Sequence, residues 1–516
     1  MTKIEFISAS DQLGYLHDES RLSGRADYLA FPEDAMQARA TILRAVEEKL
    51  SLTIQGSRTG ISGGAVPRGG VVLSTEKMNQ PLGFSEGDTP ILRVQSGMSI
   101  DDITNLLLRG IPPENWDDES KIWFRKRARS LRFAPNPTET TASIGGSFAC
   151  NAQGPNSLLW GGTGDHVQGL VWITPQGELW RMERGRYYFD EIGCDLPNGE
   201  RVSCDSGLPD GGSRYLHPRV GLDLVDFLAG SEGLLGCAAE LSLRLVEKPA
   251  AVWGVVYFFE QDQQAIAFAE FLRRGREHSP QRETFSTLEY YDRWSLELIR
   301  NLAPHNTTLR QLPFINPLMN AAVQVELEGD SSESLEMILV EQLEAFLAFG
   351  GGEEDTWAAA SPVELEKFHL LRHAVPELIN GEIDKLRQTS PDLHKTAVDF
   401  MVPPELVNGY RETYRQDLET VGLRGFIFGH IAEGRLHVNI LPKNSRELQE
   451  SYALIDGWAC SVLRDRGILA AENGIGLLKR DLLCRFLSSE RLEQIRSLIG
   501  AFDPQNILGG FEPIGD

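Results

Sequence analysis

The sequence predicts an α+β protein with more than one domain, from its length, its alternation of helix and strand patterns, and its uneven use of glycine. The chain has 516 residues, which exceeds the size at which a single hydrophobic core stops growing. In the first half, residues 34–49 have the apolar spacing of a helix, and the short apolar run 52–54 is typical of a strand. Glycine is concentrated in the stretches 56–70, 145–177, 221–236 and 467–510.

The middle of the chain differs from both ends. Between residues 250 and 420 glycine is less frequent, and the segments 333–349 and 364–387 have apolar residues at helical spacing. The runs AVWGVVYFFE and AAVQVELEG have the composition of strands. We therefore expect a first domain over residues 1–250, a mixed α/β domain over 251–460, and a C-terminal segment over 461–516 that returns to the first domain.

Charge and cysteine content argue against several classes of protein. A formal net charge of −24 argues against nucleic-acid binding, because phosphate backbones are held by clustered Lys and Arg. No apolar stretch approaches the roughly 20 residues of a membrane span, and acidic residues stand where a signal peptide has its apolar run, so we expect a cytoplasmic protein. The 6 cysteines form no CxxC pair, which argues against iron–sulfur and structural zinc sites and predicts reduced, mostly buried thiols.

Three glycine-rich segments have the composition of phosphate-binding loops. The first, QGSRTGISGGAVPRGG, follows the strand at 52–54, and its glycines let backbone N–H groups approach an anion closely. It is not a Walker A loop, and by itself it is equally compatible with a flexible surface turn. The second, residues 135–178, offers hydroxyls, glycines and Asn151 as donors. The third, residues 228–249, is a turn that runs into an alternating strand.

In this order the three segments resemble the FAD-binding domain of the vanillyl-alcohol oxidase superfamily, in its D-lactate, glycolate and D-2-hydroxyglutarate dehydrogenase branch. The resemblance implies a two-subdomain FAD-binding domain, and an α/β substrate (cap) domain with an antiparallel sheet. It also implies that FAD is bound non-covalently, because the first loop lacks the histidine to which some relatives attach flavin. The residues that we expect to bind FAD are Gly56, Ser57, Arg58, Thr59, Gly60, Gly63, Gly64, Pro137, Thr141, Ile144, Gly145, Gly146, Asn151, Gly154, Gly161, Glu232, Gly233 and Gly236.

The chain departs from the family pattern at two points in these segments. Gln55, Ser57 and Arg58 stand where the family has Arg-Gly-Gly, and Trp160 replaces a tyrosine. Arg58 either supplies a cation to the pyrophosphate or reshapes the loop.

Residues 425–441, GFIFGHIAEGRLHVNIL, have the alternation of two strands joined by a short turn. Period-2 geometry puts His437 and Asn439 on one face, and pairing as a hairpin would bring His430 to His437. Two imidazoles and a carboxylate, for which Glu472 is the candidate, form a divalent-metal site. Two histidines at this spacing are also common in purely structural settings.

The family resemblance favours the metal site. The branch carries Gly-His-x-x-x-Gly-x-x-His-x-Asn and Glu-His-Gly-Ile-Gly, and the resemblance implies that His430, His437 and Glu472 bind a divalent transition metal such as zinc, manganese or iron. Asn473 stands where the second motif has histidine, and asparagine cannot act as a general base near neutral pH.

The resemblance also implies further catalytic residues. The expected catalytic set is Arg372, Asn439, Asn473 and Lys395. Arg372 resembles the arginine of a family Trp-x-x-Arg helix, although Phe368 or His369 stands in place of the tryptophan. A solvated helical arginine is the alternative. Lys395 and Asp399 resemble a strand of the substrate domain.

The implied function is FAD-dependent oxidation of a small 2-hydroxy acid, of the D-lactate, glycolate or D-2-hydroxyglutarate class, to the 2-oxo acid. The hydride would pass to flavin N5 with the assistance of a divalent metal. Two alternatives stay open, an oxidase of another alcohol on the same fold and a flavin-binding subunit with impaired catalysis. We expect a separate electron acceptor, such as an electron-transfer flavoprotein, a quinone or a partner subunit, and leave a homodimer open.

Overall fold

The computed structural model describes residues 4–137, 139–207, 216–278 and 285–509. Its contacts divide the chain into two compact units. Unit 1 comprises residues 1–154, 161–248 and 472–516, and unit 2 comprises residues 155–160 and 249–471. Residues 155–160 belong to unit 2, although they lie in the chain between two segments of unit 1. They contain one short helix.

The secondary structure of the described residues is numbered in chain order. The strands are β1 (Ile7–Ser8), β2 (Tyr28–Ala30), β3 (Leu52–Gln55), β4 (Val71–Ser74), β5 (Pro81–Ser85), β6 (Ile91–Gln95), β7 (Leu131–Arg132), β8 (Val167–Ile173), β9 (Leu179–Glu183), β10 (Gly193–Asp195), β11 (Arg201–Ser203), β12 (Cys237–Arg244), β13 (Val246–Glu247), β14 (Ala251–Phe259), β15 (Phe285–Tyr291), β16 (Ala321–Gly329), β17 (Thr356–Ala359), β18 (Thr396–Val398), β19 (Gly425–Gly429) and β20 (His437–Ile440). The helices are α1 (Ala35–Glu48), α2 (Ile100–Arg109), α3 (Asp118–Arg127), α4 (Ile144–Cys150), α5 (Ser157–Trp160), α6 (Leu224–Leu228), α7 (Asp262–His278), α8 (Arg293–Leu302), α9 (Ser332–Ala348), α10 (Pro362–Arg387), α11 (Val407–Val421), α12 (Ser445–Arg464), α13 (Arg480–Phe486) and α14 (Ser489–Phe502).

Unit 1 contains two main sheets. The first has the order β1-β2-β4-β3, in which β4 runs parallel to β2 and β3. The second is antiparallel and has the order β5-β6-β12-β8-β9. Asp34 is the N-cap residue of helix α1. Its side chain accepts a hydrogen bond from the backbone N–H of Gln37 and so satisfies one of the free donors of the first turn. The buried face of α1 packs into the core of unit 1 through Ala38, Ile42 and Ala45.

Unit 2 is built on one antiparallel sheet of order β17-β14-β16-β15-β19-β20-β18. The central strands β14 and β16 are paired over their whole length, from Ala251 opposite Gly329 to Phe259 opposite Ala321. Helix α10 begins after Ser361, whose hydroxyl accepts from the N–H of Glu364. The helix buries Phe368, Leu371 and Val375 in the core, so its apolar residues recur at the 3.6-residue period. This packing presents the face of α10 that carries Arg372 to the sheet.

The expected α+β class and the antiparallel sheet of the second domain are confirmed. The strand and helix expected at 52–54 and 34–49 are β3 and α1, and the amphipathic segments at 333–349 and 364–387 are α9 and α10. The domain boundaries stay a prediction. The compact units change over at Lys248 and at Ala471, rather than at residues 250 and 460.

Three further expectations concern loops, thiols and membrane crossing. Residues 144–150 form the short helix α4 inside a segment that the sequence suggested to be a loop, because Ser143 caps the N–H of Gly146. All 6 cysteines are free thiols; Cys194 and Cys237 are buried, whereas Cys460 is exposed. Within the described ranges, no helix has the length and hydrophobicity needed to cross a membrane. The cytoplasmic location stays a prediction.

Candidate functional site

The first glycine loop of unit 1 is fixed at its start by Gln55, the last residue of β3. The buried Gln55 side chain donates to the backbone oxygens of Tyr15 at 2.8 Å and Ala65 at 2.6 Å, so it ties the loop together. Gly56 follows, and a Cβ added there would lie 2.1 Å from the Oγ of Ser143. The loop therefore passes so close to the start of α4 that any larger residue at position 56 would displace the Ser143 hydroxyl.

Arg58, in the same loop, has the left-handed conformation that the family reserves for glycine, with φ 63°. Its guanidinium lies over the ring of Tyr15, 4.4 Å from the centroid, and 3.9 Å from the Oε2 of Glu76. The Tyr15 hydroxyl donates to the same carboxylate, and burial together with that carboxylate raises the pKa of Tyr15 to about 12. Arg58 thus shapes the loop through Tyr15 and Glu76. Its contact with a pyrophosphate stays a prediction.

The second and third glycine segments meet at helix α4. The backbone N–H groups of Gly230 and Glu232 donate to the oxygens of Phe148 and Ala149, at 3.0 and 2.8 Å. Around α4 the hydroxyls of Ser96, which follows β6, and of Ser147 and Ser231 are buried and have no hydrogen-bond partner within the protein. Buried polar groups are nearly always satisfied, so these hydroxyls point to a polar ligand.

Glu232 contacts the C-terminal segment of unit 1, residues 472–516. Its carboxylate accepts from the backbone N–H groups of Ile475 and Gly476, at 2.5 and 2.7 Å. Burial raises the pKa of this carboxyl group, and the two backbone donors act in the opposite direction. Gly474 has φ 71°, and a Cβ there would lie 2.8 Å from the Oε1 of Glu232. Glu232 thus organises the segment that carries Glu472 and Asn473, and its contact with FAD stays a prediction.

That segment also contacts the first glycine loop. The Ser62 hydroxyl donates to the backbone oxygen of Asn473 at 2.8 Å, and the N–H of Leu478 donates to the oxygen of Ser62 at 3.0 Å. Glu472 is buried and Asn473 is half-buried. Both therefore have a backbone fixed by the glycine loops of unit 1.

The other residues expected to bind FAD lie in the same glycine segments. The Oδ1 of Asn151, which ends α4, accepts from the N–H of Gly164 at 2.9 Å, so this side chain shapes the turn. The indole N–H of Trp160 donates to the carboxylate of Glu328 on β16, inside unit 2. The remaining expected residues all lie in the three glycine segments or in α4: Ser57, Thr59, Gly60, Gly63, Gly64, Pro137, Thr141, Ile144, Gly145, Gly146, Gly154, Gly161, Gly233 and Gly236.

In unit 2 the expected histidine hairpin is confirmed. Strands β19 and β20 are antiparallel neighbours, with Phe428 opposite His437. His430 directly follows β19, and the two imidazole centroids are 5.8 Å apart. Both rings are buried, at 3% and 9% exposure. Asn439, two residues after His437, is buried on the same face of β20.

Arg372 of α10 lies between the two imidazoles. Its Nη2 is 3.4 Å from the Nε2 of His430 and 3.2 Å from the Nε2 of His437. A guanidinium only donates, so each Nε2 is the acceptor and carries no proton. Two lone pairs therefore converge on one point. The side chain of Arg372 is 4% exposed, which rules out the solvated helical arginine.

Glu289, on β15, completes this cluster, and the sequence analysis did not find it. The residue is fully buried; its Oε1 is 2.7 Å from the Nδ1 of His430, and its Oε2 is 3.3 Å from the Nε of Arg372. Burial alone would raise the pKa of Glu289, but the charge of Arg372 and the contact with His430 outweigh it and lower the pKa to about 2. Glu289 is therefore an anion at neutral pH. No motif marks it, because a single glutamate in an apolar strand has no characteristic spacing.

The remaining expected catalytic residues of unit 2 lie on neighbouring elements. Lys395 precedes β18, and its ammonium donates to the Oδ1 of Asn380 on α10 at 2.7 Å. Asp399, directly after β18, is buried. Phe368 is in the core, whereas His369 is partly exposed and lies 3.9 Å from the carboxylate of Glu326 on β16.

The donor set of unit 2 is compatible with a borderline or soft divalent cation. Two unprotonated imidazole nitrogens that face one point are the ligands that zinc, iron and manganese sites use in proteins. The third expected ligand, Glu472, is the first residue of the C-terminal segment of unit 1 and directly follows Ala471, the last residue of unit 2. Its role as a ligand stays a prediction.

Comparison with known proteins identifies the family of the chain. Two family models match, the FAD binding domain at residues 26–115 and the C-terminal domain of FAD linked oxidases at residues 256–510. A D-lactate dehydrogenase of Anaerostipes hadrus is 25% identical over 96% of this chain and 91% of the relative. A D-2-hydroxyglutarate dehydrogenase of Xanthomonas citri pv. viticola is 25% identical over 93% and 87%. Glycolate oxidase subunit GlcD of Bacillus subtilis is 24% identical over 97% and 92%.

Among solved structures, an alkyldihydroxyacetonephosphate synthase is similar with a TM-score of 0.58 and 14% identity, over 96% of this chain and 77% of the synthase chain. At this identity the likeness concerns the fold alone. The chain belongs to the FAD-linked oxidase family. The resemblance seen in the sequence and the FAD cofactor are thereby confirmed.

Proposed function

We propose that this FAD-linked oxidoreductase oxidises a small 2-hydroxy acid to the 2-oxo acid. The observation that carries the proposal is the buried cluster of Arg372, His430 and His437, which combines a carboxylate-binding fork with two metal-ligating nitrogens. Relatives named D-lactate dehydrogenase, D-2-hydroxyglutarate dehydrogenase and glycolate oxidase support this substrate class.

The glycine loops of unit 1 would hold FAD, which supplies a hydride acceptor at its N5 atom. The loop from Gly56 to Gly64 offers backbone N–H groups to the diphosphate, and the partnerless hydroxyls of Ser147 and Ser231 offer further donors. Donors of this kind suit a chain of net charge −24, because they bind an anion without adding formal positive charge.

His430, His437 and Glu472 would hold the divalent metal. A cation there lowers the pKa of the substrate hydroxyl group and polarises its oxygen. The chemistry of two imidazoles and one carboxylate favours zinc, manganese, iron or cobalt over magnesium or calcium, which prefer all-oxygen ligands.

Arg372 would bind the substrate carboxylate through its planar guanidinium. Its Nη2 occupies the point on which both imidazole lone pairs converge, so this nitrogen and a cation held by both rings exclude each other. A metal held by both rings would require Arg372 to give up these contacts, and its Nη2 would then be available to the substrate carboxylate.

Because Asn473 stands where the family motif has histidine, the site lacks that general base. The amide of Asn473 can hold a substrate oxygen by hydrogen bonding, as can that of Asn439, but neither takes up a proton near neutral pH. This departure from the family is the observation that favours the second candidate, a flavin-binding subunit with impaired catalysis. The retained histidine pair of unit 2 favours the enzyme.

An anaerobic screen of 2-hydroxy acids tests the proposal. We expect at least one member of the D-lactate, glycolate and D-2-hydroxyglutarate class to bleach the flavin absorbance of the holoenzyme, and a separate electron acceptor to restore it. A flavin that dithionite reduces but that none of these acids reduces would contradict the proposal.

The mode of flavin attachment has its own test. The purified protein should be yellow and should release intact FAD on acid or heat denaturation, because the first glycine loop lacks the attaching histidine. Flavin that remains with the precipitated chain would contradict non-covalent binding.

A further inference from the structure

Glu289 is a fully buried carboxylate in the middle of the sheet of unit 2, on β15 and opposite Gln324 of β16. An ionised carboxylate in such a position is costly unless its oxygens are paired. Each oxygen has a different partner. Oε1 faces the Nδ1 of His430 at 2.7 Å, and Oε2 faces the Nε of Arg372 at 3.3 Å.

These contacts determine the tautomer of His430. A carboxylate has no proton to donate, so the 2.7 Å contact between Oε1 and the Nδ1 of His430 favours the form of the imidazole with its proton on Nδ1. The other ring nitrogen, Nε2, faces a guanidinium nitrogen, which only donates. Both ends of the imidazole therefore require the same form, with the proton on Nδ1 and the lone pair on Nε2.

The same carboxylate orients Arg372. The Nε of the guanidinium faces Oε2 of Glu289, and this contact holds one edge of the planar group. One of the two terminal nitrogens, Nη2, is the atom that faces both histidines. Glu289 thus contacts both functional side chains through atoms other than the ones that converge, Nδ1 of His430 and Nε of Arg372.

We propose that Glu289 is the positioning residue of the metal and substrate site. It fixes His430 in the tautomer that binds a cation through Nε2, and it directs the terminal nitrogens of Arg372 toward the substrate carboxylate. This inference rests on the proposed function, because it assigns Glu289 a role toward the metal named there. Carboxylates that accept from the second nitrogen of a ligating histidine commonly change metal affinity by about 10- to 100-fold.

A purely structural role is the competing explanation, and Glu326 provides the matched control. Glu326 is also buried, lies on the adjacent strand β16 and pairs with residue Thr287 of β15. Its carboxylate contacts Gln324 at 3.1 Å and His369 at 3.9 Å. Removing either charge disturbs the same sheet, but the proposal gives only Glu289 a role toward the metal.

The experiment compares Glu289→Gln with Glu326→Gln in the FAD-loaded, metal-stripped protein. Equilibrium dialysis without substrate measures the binding of Zn²⁺ and Mn²⁺. The affinity should fall about 10- to 100-fold in Glu289→Gln. In Glu326→Gln it should fall less than about threefold, which is within the scatter of a neutral substitution. Equal losses in both variants, or no loss in Glu289→Gln, would overturn the proposal. If the wild-type protein binds the metal but reduces no hydroxy acid, the substrate assignment fails while the role of Glu289 stands.

A second measurement needs no variant of Glu289. In wild-type protein with ¹⁵N-labelled histidine rings and no metal, the resonance pair that disappears in His430→Asn should show a protonated Nδ1 and an unprotonated Nε2. The opposite tautomer would overturn the proposal even if Glu289→Gln does not fold. A wild-type protein that binds no metal would overturn the metal-directed part of this inference together with the metal in the proposed function.

Discussion

The two units contribute to the candidate sites by different means. In unit 1 the important atoms belong to the backbone and to small hydroxyls, as in the loop from Gly56 to Gly64 and around α4. In unit 2 they belong to ionisable side chains, Glu289, Arg372, His430 and His437. Backbone donors bind a cofactor of fixed shape over a wide range of pH, whereas ionisable groups can bind metal and stabilise charge. Perturbations of unit 2 should therefore affect chemistry and leave cofactor binding intact.

Removal of the metal should have the largest effect. Chelation is expected to slow reduction of the flavin by substrate by a factor on the order of 10³ or more, because a bound cation contributes several kcal/mol of charge stabilisation. The absorbance spectrum of the bound FAD should hardly change, since its loops lie in unit 1. Elemental analysis of protein purified without chelator should show about one transition-metal ion per chain.

Readdition of Zn²⁺, Mn²⁺ or Fe²⁺ is the control for this prediction and should restore the rate. Protein that contains no metal, and that neither binds added metal nor gains turnover from it, would indicate that the chain has lost the metal-assisted chemistry of its family.

Arg372→Ala should have the next largest effect. Loss of a charge-assisted, two-pronged contact costs on the order of 2–4 kcal/mol, so kcat/KM should fall roughly 30- to 1000-fold. FAD content should be unchanged. Metal affinity should not fall, because the variant removes the nitrogen that competes for the two imidazoles.

His369→Ala is the matched control for Arg372, since His369 lies one turn earlier on α10 and is partly exposed. A similar loss of kcat/KM in both variants, or unchanged kinetics in Arg372→Ala, would remove the carboxylate-binding role from Arg372.

Asp292→Asn tests how buried charge affects the stability of unit 2. Burial raises the pKa of Asp292, which caps α8, to about 7, with a further contribution from Asp262. A carboxyl group whose pKa is raised on folding favours the neutral form, so its contribution to stability is greatest below pH about 4 and declines as the pH rises to 7. Asparagine caps a helix equally well. The variant should therefore be more stable at pH 8, by on the order of 1–4 kcal/mol.

Thermal unfolding at pH 4.5 and pH 8 would measure this difference. The gain in Tm should be present at pH 8 and small at pH 4.5, and FAD release from unit 1 should be unaffected. A gain of equal size at both pH values would show that the pKa of Asp292 is not raised.

Gly56→Ala should have the smallest effect and tests unit 1. The added methyl group would displace the Ser143 hydroxyl, which caps α4, at a cost of about 1 kcal/mol. Ser143→Ala removes the same cap and should cost a similar amount. The double variant should cost little more than either single variant, because both remove one interaction. Additive losses in unfolding free energy would contradict the close approach of the two loops.

The glycine segments and the histidine hairpin could be found from sequence because each is a local pattern. Gly56, Gly63 and Gly64 mark a loop through their spacing alone, and period-2 alternation already places His437 and Asn439 on one face of a strand. The sequence also identified Arg372, but it left a solvated position open, because the burial of one helix face depends on the elements that pack against it.

The sequence by itself thus determined the family, the glycine loops, the paired histidines and the departure at Asn473. Only the tertiary structure decided that Glu232 accepts from Ile475 and Gly476, and that Glu289 contacts both His430 and Arg372. The physical reason is that these contacts join residues that are distant in the chain, and no local period records them. A buried carboxylate is recognisable as functional only when its partners are known, since its charge is stable only because they pair with it.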